Sequence, residues 1–139
     1  MKGEVINMPP KPPKPKGPQT LSTGILRRHS NVVFITVDVM NVDPNNVHSV
    51  AVQMFDWSSN LPVVIPLLTP SIQFVSPNQA VFFFSDSLPL NLRVYEVRIV
   101  HPGDEDVVIN VSGISGNPIF DPKEVDTVLQ HDLVKLKLE

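Results

Sequence analysis

The chain has 139 residues, of which 42% are hydrophobic and 18% charged, so it is long enough for one domain and too short for two. It contains no cysteine, which excludes a disulfide framework, a thiolate metal site and a cysteine nucleophile. The formal net charge of −3 is unevenly divided, because residues 1–20 carry four lysines and one glutamate whereas the remainder carries seven basic and thirteen acidic side chains. A basic arm on an acidic body favours contact between neighbouring copies of the chain.

The first segment, MKGEVINMPPKPPKPKGP, is rich in proline and lysine. Proline lacks a backbone N–H and disfavours helix in the residue before it, so this segment predicts a polyproline II or irregular arm. We divide the chain into a flexible connector over residues 1–22 and a β-sandwich domain over residues 23–139. Ten residues of such an arm span about 30 Å, which is enough to reach across a neighbouring subunit.

Targeting signals are not apparent. MKGEVINMPPK has no apolar stretch of the kind that forms a signal peptide, which predicts synthesis and release in the cytoplasm. No run approaches the ~18–20 apolar residues that a membrane-spanning helix needs.

Strand patterns begin after the arm. The stretch NVVFITVDVMNV alternates, and its period predicts Val33, Ile35, Val37 and Val39 on one buried face. DPNN supplies a turn before the strand HSVAVQMFDW, and SSNLP leads from there into VVIPLL. Because Pro66 interrupts that segment, we expect it to be an edge strand or to bend between sheets.

The second half continues in the same manner. SIQFV and AVFFFS flank the turn SPNQ, and LRVYEVRIV predicts a strand with Tyr95, Val97 and Ile99 on one face. HPGDED predicts a hairpin into VVINVSGI, and SGNPIFDPKEVDTV predicts an irregular segment with a single helical turn at PKEVD. The last segment, QHDLVKLKLE, alternates as a closing strand. These eight or nine strands predict an all-β, antiparallel sandwich of about eight strands, of jelly-roll or immunoglobulin-like type.

The residues that could carry chemistry do not form a recognisable site. The four histidines, His29, His48, His101 and His131, make no short ligand pair of the HxH or HxxxH kind, so no metal site is predicted. The acidic run DED in HPGDED lacks the alternating spacing of a calcium loop and predicts a charged hairpin tip.

Enzymatic motifs are also missing from the sequence. It has no G-x-S-x-G element, no glycine-rich phosphate loop and no readable pairing of a nucleophile with a base, so we expect neither an enzyme nor a cofactor. Nucleic acid is not an expected partner, because the body is acidic and the arm lysines are not interleaved with aromatic residues. Trp57, Tyr95 and the Phe82–Phe84 run leave a carbohydrate-binding module as one alternative.

A family resemblance follows from the strand motifs. FDW followed by a turn, and YEVRIVHPGDEDVVINVSGIS after it, resemble small β-sandwich proteins of endospore-forming bacteria, among them the endospore-appendage subunits. The resemblance implies a sandwich that polymerises by edge-to-edge sheet augmentation, with an N-terminal connector that reaches into the next subunit. It also implies a location on the spore surface after release from the mother-cell cytoplasm, with copies of the chain and other spore-surface proteins as partners. Cysteine cross-links of that family cannot form here, since the chain has none.

The preferred functional hypothesis is therefore a structural subunit that self-assembles into a fibre or surface layer through unpaired strand edges. A phage or viral decoration or fibre protein is the second alternative. The candidate edges are the opening strand 25–29, the segment 63–68 and the closing strand 132–138. The candidate interface residues are Pro9, Pro10, Lys11, Pro12, Pro13, Lys14, Pro15, Lys16, Ile25, Leu26, Val63, Val64, Val134, Leu136 and Leu138.

Overall fold

The computed structural model describes residues 17–116 and 119–137. Strands make up 57% of the described residues and form two antiparallel sheets that pack against each other, which confirms the predicted β-sandwich. The helical content of this described part is one 3-10 turn at Gln130–Asp132. Its strands are β1 (Gln19–Ser22), β2 (Leu26–Arg27), β3 (Val32–Asn41), β4 (His48–Asp56), β5 (Val63–Val64), β6 (Ile72–Val75), β7 (Gln79–Phe84), β8 (Val94–His101), β9 (Val107–Gly116), β10 (Ile119–Val128) and β11 (Val134–Leu136).

The strands are divided between a larger and a smaller sheet. The larger sheet has the order β11-β1-β8-β4-β5, with β2 also paired to β8 and β6 also paired to β4. Residues 19–22, which the sequence analysis assigns to the connector, thus belong to the sandwich as β1, an inner strand of this sheet. The smaller sheet has the order β10-β9-β3-β7. The eleven described strands exceed the predicted number of about eight, because the sheets also include three short strands of two or three residues, β2, β5 and β11.

The core lies between the central strands of the two sheets, where alternate side chains point inward. The predicted face of β8 is confirmed, since Tyr95, Val97 and Ile99 are all fully buried. The prediction for the start of β3 is wrong at one position: Val33 is exposed and Val32 is buried instead. The reason is a β-bulge, because Ile114 of β9 pairs with Phe34 and the next residue, Ser115, pairs with Val32.

Most connections cross from one sheet to the other. Residues 42–47 join β3 to β4, and residues 102–106 join β8 to β9, at the same end of the sandwich. The predicted hairpin at HPGDED is therefore wrong, since β8 and β9 belong to different sheets. A turn signal specifies that the chain reverses, but burial of both inner faces decides whether it reverses within a sheet or across the core.

The segment 119–128 is the second correction. Where a helical turn was predicted at PKEVD, the chain forms β10, which pairs with β9 at the border of the smaller sheet. Pro122 is compatible with this position because one side of a border strand needs no ladder hydrogen bond. The alternation was not recognisable because the pairing with β9 shifts register between Lys123 and Thr127, and a fully buried position between them is occupied by the polar residue Asp126.

The proline-interrupted segment after β4 bends between the sheets, as predicted. Val63 and Val64 pair with β4 in the larger sheet, whereas Leu67 forms a bridge to Ser85 beside the smaller one. Pro66 lies between these two pairings, and its carbonyl accepts a hydrogen bond from the Asp86 N–H. In the described ranges, no helix has the length and apolar character that crossing a membrane would require.

Candidate functional site

Within the candidate edge 63–68, Val63 and Val64 form one border of the larger sheet. Val63 and Val64 pair with Asp56 and Phe55 of β4, and their side chains are 54% and 64% exposed. The N–H of Ile65 donates to the Met54 carbonyl at 2.8 Å. Since alternate residues of an antiparallel strand direct their backbone groups to the same side, the N–H and C=O of Val64 face away from the sheet.

The closing strand β11 forms the opposite border of the same sheet. Val134 pairs with Ser22 and Leu136 with Thr20, and Val134 is more than half exposed. The far side of β11 has no strand partner among the described residues. Leu138 lies outside the described part of the chain.

The opening strand has a different setting. Leu26 pairs with Tyr95 and packs partly buried against the core, whereas Ile25 is 55% exposed. Two residues after the end of β2, the His29 N–H donates to Asp126 of β10 at 3.0 Å. The opening strand is thus held between β8 and β10. The candidate arm residues Pro9, Pro10, Lys11, Pro12, Pro13, Lys14, Pro15 and Lys16 lie outside the described residues.

One surface feature was not predicted from the sequence. We call it the uncharged flank, and it consists of β5, β6, β7 and the segments between them. From Trp57 through Ser85 the sequence contains no aspartate, glutamate, lysine, arginine or histidine, and this run was a signal that could have been noticed. Exposure of the large apolar side chains on this flank ranges from 36% at Phe84 to 72% at Phe74. The exposed set is Leu61, Val63, Val64, Leu68, Ile72, Phe74, Phe82 and Phe84.

Several outward backbone groups of β7 form hydrogen bonds with other residues of the flank. The outward carbonyl of Phe82 accepts from the Gln73 side-chain amide at 3.0 Å, and the Phe84 carbonyl accepts from the Leu68 N–H at 2.9 Å. The Phe84 N–H donates to the Thr69 hydroxyl at 3.3 Å. The outer edge of β7 therefore offers apolar side chains rather than open backbone groups, and the open backbone lies at β5.

Charge is concentrated at one end of the sandwich, in what we call the acidic corner: Asp43, Asp104, Glu105 and Asp106, on the two loops that cross between sheets. Hydrogen bonds from the Asn45 backbone N–H, and then from His48 and Asn46, hold the pKa of the Asp43 carboxyl well below its usual range.

The described chain also begins at this end. Gln19, the first residue of β1, pairs with His101, which immediately precedes the 102–106 loop. The root of the basic arm therefore lies beside the acidic corner.

A groove of about 570 Å³ opens at the other end. Its lining includes Arg27, Trp57 and Arg93, and the Trp57 indole N–H donates to the Glu96 carboxylate at 2.9 Å. Burial opposes ionisation of Glu96, but hydrogen bonds from Arg98, Ser22 and Trp57 outweigh it and hold its pKa below the usual range. The indole ring and the two guanidinium groups could stack on or bind a polar planar ligand.

The two sheets are joined across the core by a buried polar pair. The Tyr95 hydroxyl donates to Asp126 at 2.5 Å, and both residues are fully buried. Burial, and then the adjacent carboxylate, raise the pKa of the Tyr95 hydroxyl far above its usual range. The second Asp126 oxygen accepts from the His29 N–H, so this carboxylate is engaged on both oxygens in holding the fold.

Comparison with known proteins adds no family to these observations. No protein-family model matches the chain, and no curated protein sequence gives a significant match.

Proposed function

We propose that this protein is a non-enzymatic structural subunit that self-assembles through its sheet borders and its N-terminal connector into a fibre or surface layer. The observation that carries the proposal is the uncharged flank, which leaves eight large apolar side chains exposed along one side of the sandwich. The sequence resemblance to spore-surface subunits makes the bacterial endospore surface the expected location.

The flank supports assembly because its composition departs from that of a protected sheet border. Border strands normally carry charged side chains, lysine above all, that discourage pairing with another chain. Here every residue from Trp57 to Ser85 is uncharged, and Phe74 and Leu68 are each more than 70% exposed. Exposed apolar side chains of this kind gain free energy when another protein surface covers them. A second copy of this chain is the occupant we propose.

The direction of assembly follows from the strand order. β11 and β5 form opposite borders of the same sheet. If β11 of one copy pairs with β5 of the next, the larger sheet continues from subunit to subunit through backbone hydrogen bonds. Such a head-to-tail contact joins two different surfaces, so it produces an open chain unless the rotation between copies closes a ring.

The arm provides a second contact between copies. Its lysines are complementary in sign to the acidic corner, beside which the described chain begins. In an extended assembly the arm of one subunit would lie across the acidic corner of its neighbour, and this attraction would weaken as salt screens it.

The test compares the full chain with two flank variants, Phe74→Lys and Val64→Lys, by light scattering and negative-stain electron microscopy. We expect filaments or large assemblies from the unmodified chain and monomers from both variants, because each lysine places a charge where apolar contact and strand pairing are required. Circular dichroism verifies that each variant keeps its β-sheet content. A chain that lacks residues 1–16 tests the arm and should assemble more weakly and with less dependence on salt.

Leu90→Lys is the matched control. Leu90 is 99% exposed but lies outside the flank, so its replacement adds the same charge without touching the proposed interface and should leave assembly unchanged. The proposal is wrong if the unmodified full chain stays monomeric at the highest attainable concentration. It is equally wrong if Leu90→Lys disrupts assembly as strongly as Phe74→Lys.

A further inference from the structure

Two sheet-crossing loops bring three possible metal ligands together at the acidic corner. The loops run side by side, and the Val42 N–H of one donates to the Asp106 carbonyl of the other at 2.9 Å. His48 Nε2 lies 3.0 Å from Asp43 Oδ2 and 3.3 Å from Asp104 Oδ2. These three ligand atoms all lie within 4.8 Å of one another.

This spacing is close to what a tetrahedral zinc site requires. Zinc binds imidazole nitrogen and carboxylate oxygen at about 2.0–2.2 Å, which separates neighbouring ligand atoms of a tetrahedral site by about 3.3–3.6 Å. The two distances from His48 Nε2, 3.0 and 3.3 Å, are at or just below this range. The two carboxylate oxygens lie within 4.8 Å of each other, so a small adjustment of the Asp43 and Asp104 side chains would admit the ion.

The carboxylates are held in position by hydrogen bonds to atoms outside the ligand set. Asp43 Oδ1 accepts from the backbone N–H groups of Asn45 and Asn46, which fixes the carboxylate and directs Oδ2 to His48. Asp104 Oδ1 accepts from the Asp106 N–H at 2.8 Å, which likewise leaves Oδ2 on the His48 side. Such support around the ligands is what orients them in protein metal sites.

From this geometry we infer that Asp43, His48 and Asp104 bind one divalent cation of the zinc class, with water as the fourth ligand. Because Asp43 and His48 flank one crossing loop and Asp104 belongs to the other, the ion connects the two crossings. It thereby stiffens the end of the sandwich at which β1 begins. The inference does not depend on the assembly proposed above, since the ligands come from a single chain.

The competing interpretation is a polar cluster without metal, in which the His48 Nε2–H donates a hydrogen bond to the two carboxylates. The two interpretations differ in their response to added zinc. In the experiment, the full chain is treated with a chelator, dialysed, and titrated with zinc chloride in a calorimeter and by thermal unfolding. We expect one zinc ion to bind per chain. At a free zinc concentration of about one hundred times Kd, we expect Tm to rise by about 10 °C.

His48→Gln separates the interpretations because glutamine still donates a hydrogen bond but is a poor zinc ligand. We expect this variant to lose the calorimetric site and the rise in Tm, and Asp104→Asn, at a more exposed ligand, to weaken both. His131→Gln, at a histidine 76% exposed on its side chain, should behave as the unmodified chain does. X-ray absorption at the zinc edge should then show a nitrogen and oxygen shell. Absence of zinc binding to the unmodified chain, or an equal response from His48→Gln, would overturn the inference.

Discussion

The buried link between Tyr95 and Asp126 offers the sharpest test of how the two sheets are held together. Tyr95 lies on β8 of the larger sheet and Asp126 on β10 of the smaller, and neither is exposed. Tyr95→Phe removes one oxygen atom and leaves the aromatic ring in place. It deprives Asp126 of a hydroxyl donor in a site from which water is excluded, while the His29 N–H remains bound to the other carboxylate oxygen.

The expected cost is about 2–3 kcal/mol. A hydrogen bond to a charged group contributes about 1.5–3 kcal/mol to stability, and loss of one partner leaves the other buried and unsatisfied. That cost is a large fraction of the 5–15 kcal/mol by which a domain of this size is typically stable. If the hydroxyl had no partner, its removal from an apolar core would be neutral or stabilising. The sign of the change therefore distinguishes the two cases.

Urea unfolding followed by the fluorescence of the single tryptophan measures this change. With a slope of about 1–3 kcal/mol per molar urea, the midpoint should fall by about 1–2 M in Tyr95→Phe. The double variant with Asp126→Asn should show a coupling of at least about 1 kcal/mol, since the two side chains act as one unit. A midpoint unchanged or raised in Tyr95→Phe, or additive single changes, would refute this account.

Three further predictions concern the same interior. Gly113→Ala should lower the free energy of unfolding by about 2–3 kcal/mol, because a Cβ there would lie 2.6 Å from the Asp126 Cβ. Gly116→Ala should cost less than half of that, because its Cβ would meet the methyl groups of Val33 at 3.2 Å. Since the folded-state pKa of Glu96 is lowered from its usual 4.5, its ionised form stabilises the fold above that pH, and the chain should lose stability more steeply between about pH 5 and 3 than Glu96→Gln does. Since the folded-state pKa of Tyr95 is raised above its usual 10.0, stability should be lost as the pH rises beyond about 10, and tyrosinate absorbance should appear only together with unfolding.

Each of these has a clear contrary result. Equal unfolding midpoints for the two alanine variants would contradict the close approach of Asp126 to β9. Parallel acid-unfolding curves for the unmodified chain and Glu96→Gln would contradict the stabilising role of its three donors. Because the chain has a single tyrosine, a reversible titration near pH 10 in the folded protein would contradict the burial of Tyr95 directly.

Prolines on the uncharged flank limit how much of it can pair as a strand with another chain. Pro62, Pro66, Pro70 and Pro77 interrupt the run from Trp57 to Ser85. Proline cannot donate a ladder hydrogen bond, so it limits the length over which a border strand can pair with another chain. The flank thus combines apolar side chains that favour contact with a backbone that restricts strand pairing to short segments such as β5. This combination favours a defined contact over an indefinite cross-β stack.

Sequence patterns were sufficient where the inward positions of a strand were apolar. β8 was predicted because Tyr95, Val97 and Ile99 alternate with polar neighbours, and the bend at Pro66 followed from the chemistry of proline alone. β10 was missed because a fully buried position in it holds Asp126, which is stable there because Tyr95 on a distant strand and the His29 N–H both donate to it. A pattern within one segment cannot reveal a partner supplied by another.

The amino-acid sequence by itself determined the all-β architecture, because alternation of apolar and polar residues is a local property that fixes which side chains must leave water. It also contained the uncharged run that forms the flank. Only the tertiary structure decided that HPGDED crosses between sheets and that β11 and β5 are opposite borders of one sheet. It alone brought Asp43 and His48 to Asp104. These outcomes depend on which faces meet across the core, and that choice is made by packing among residues far apart in the chain.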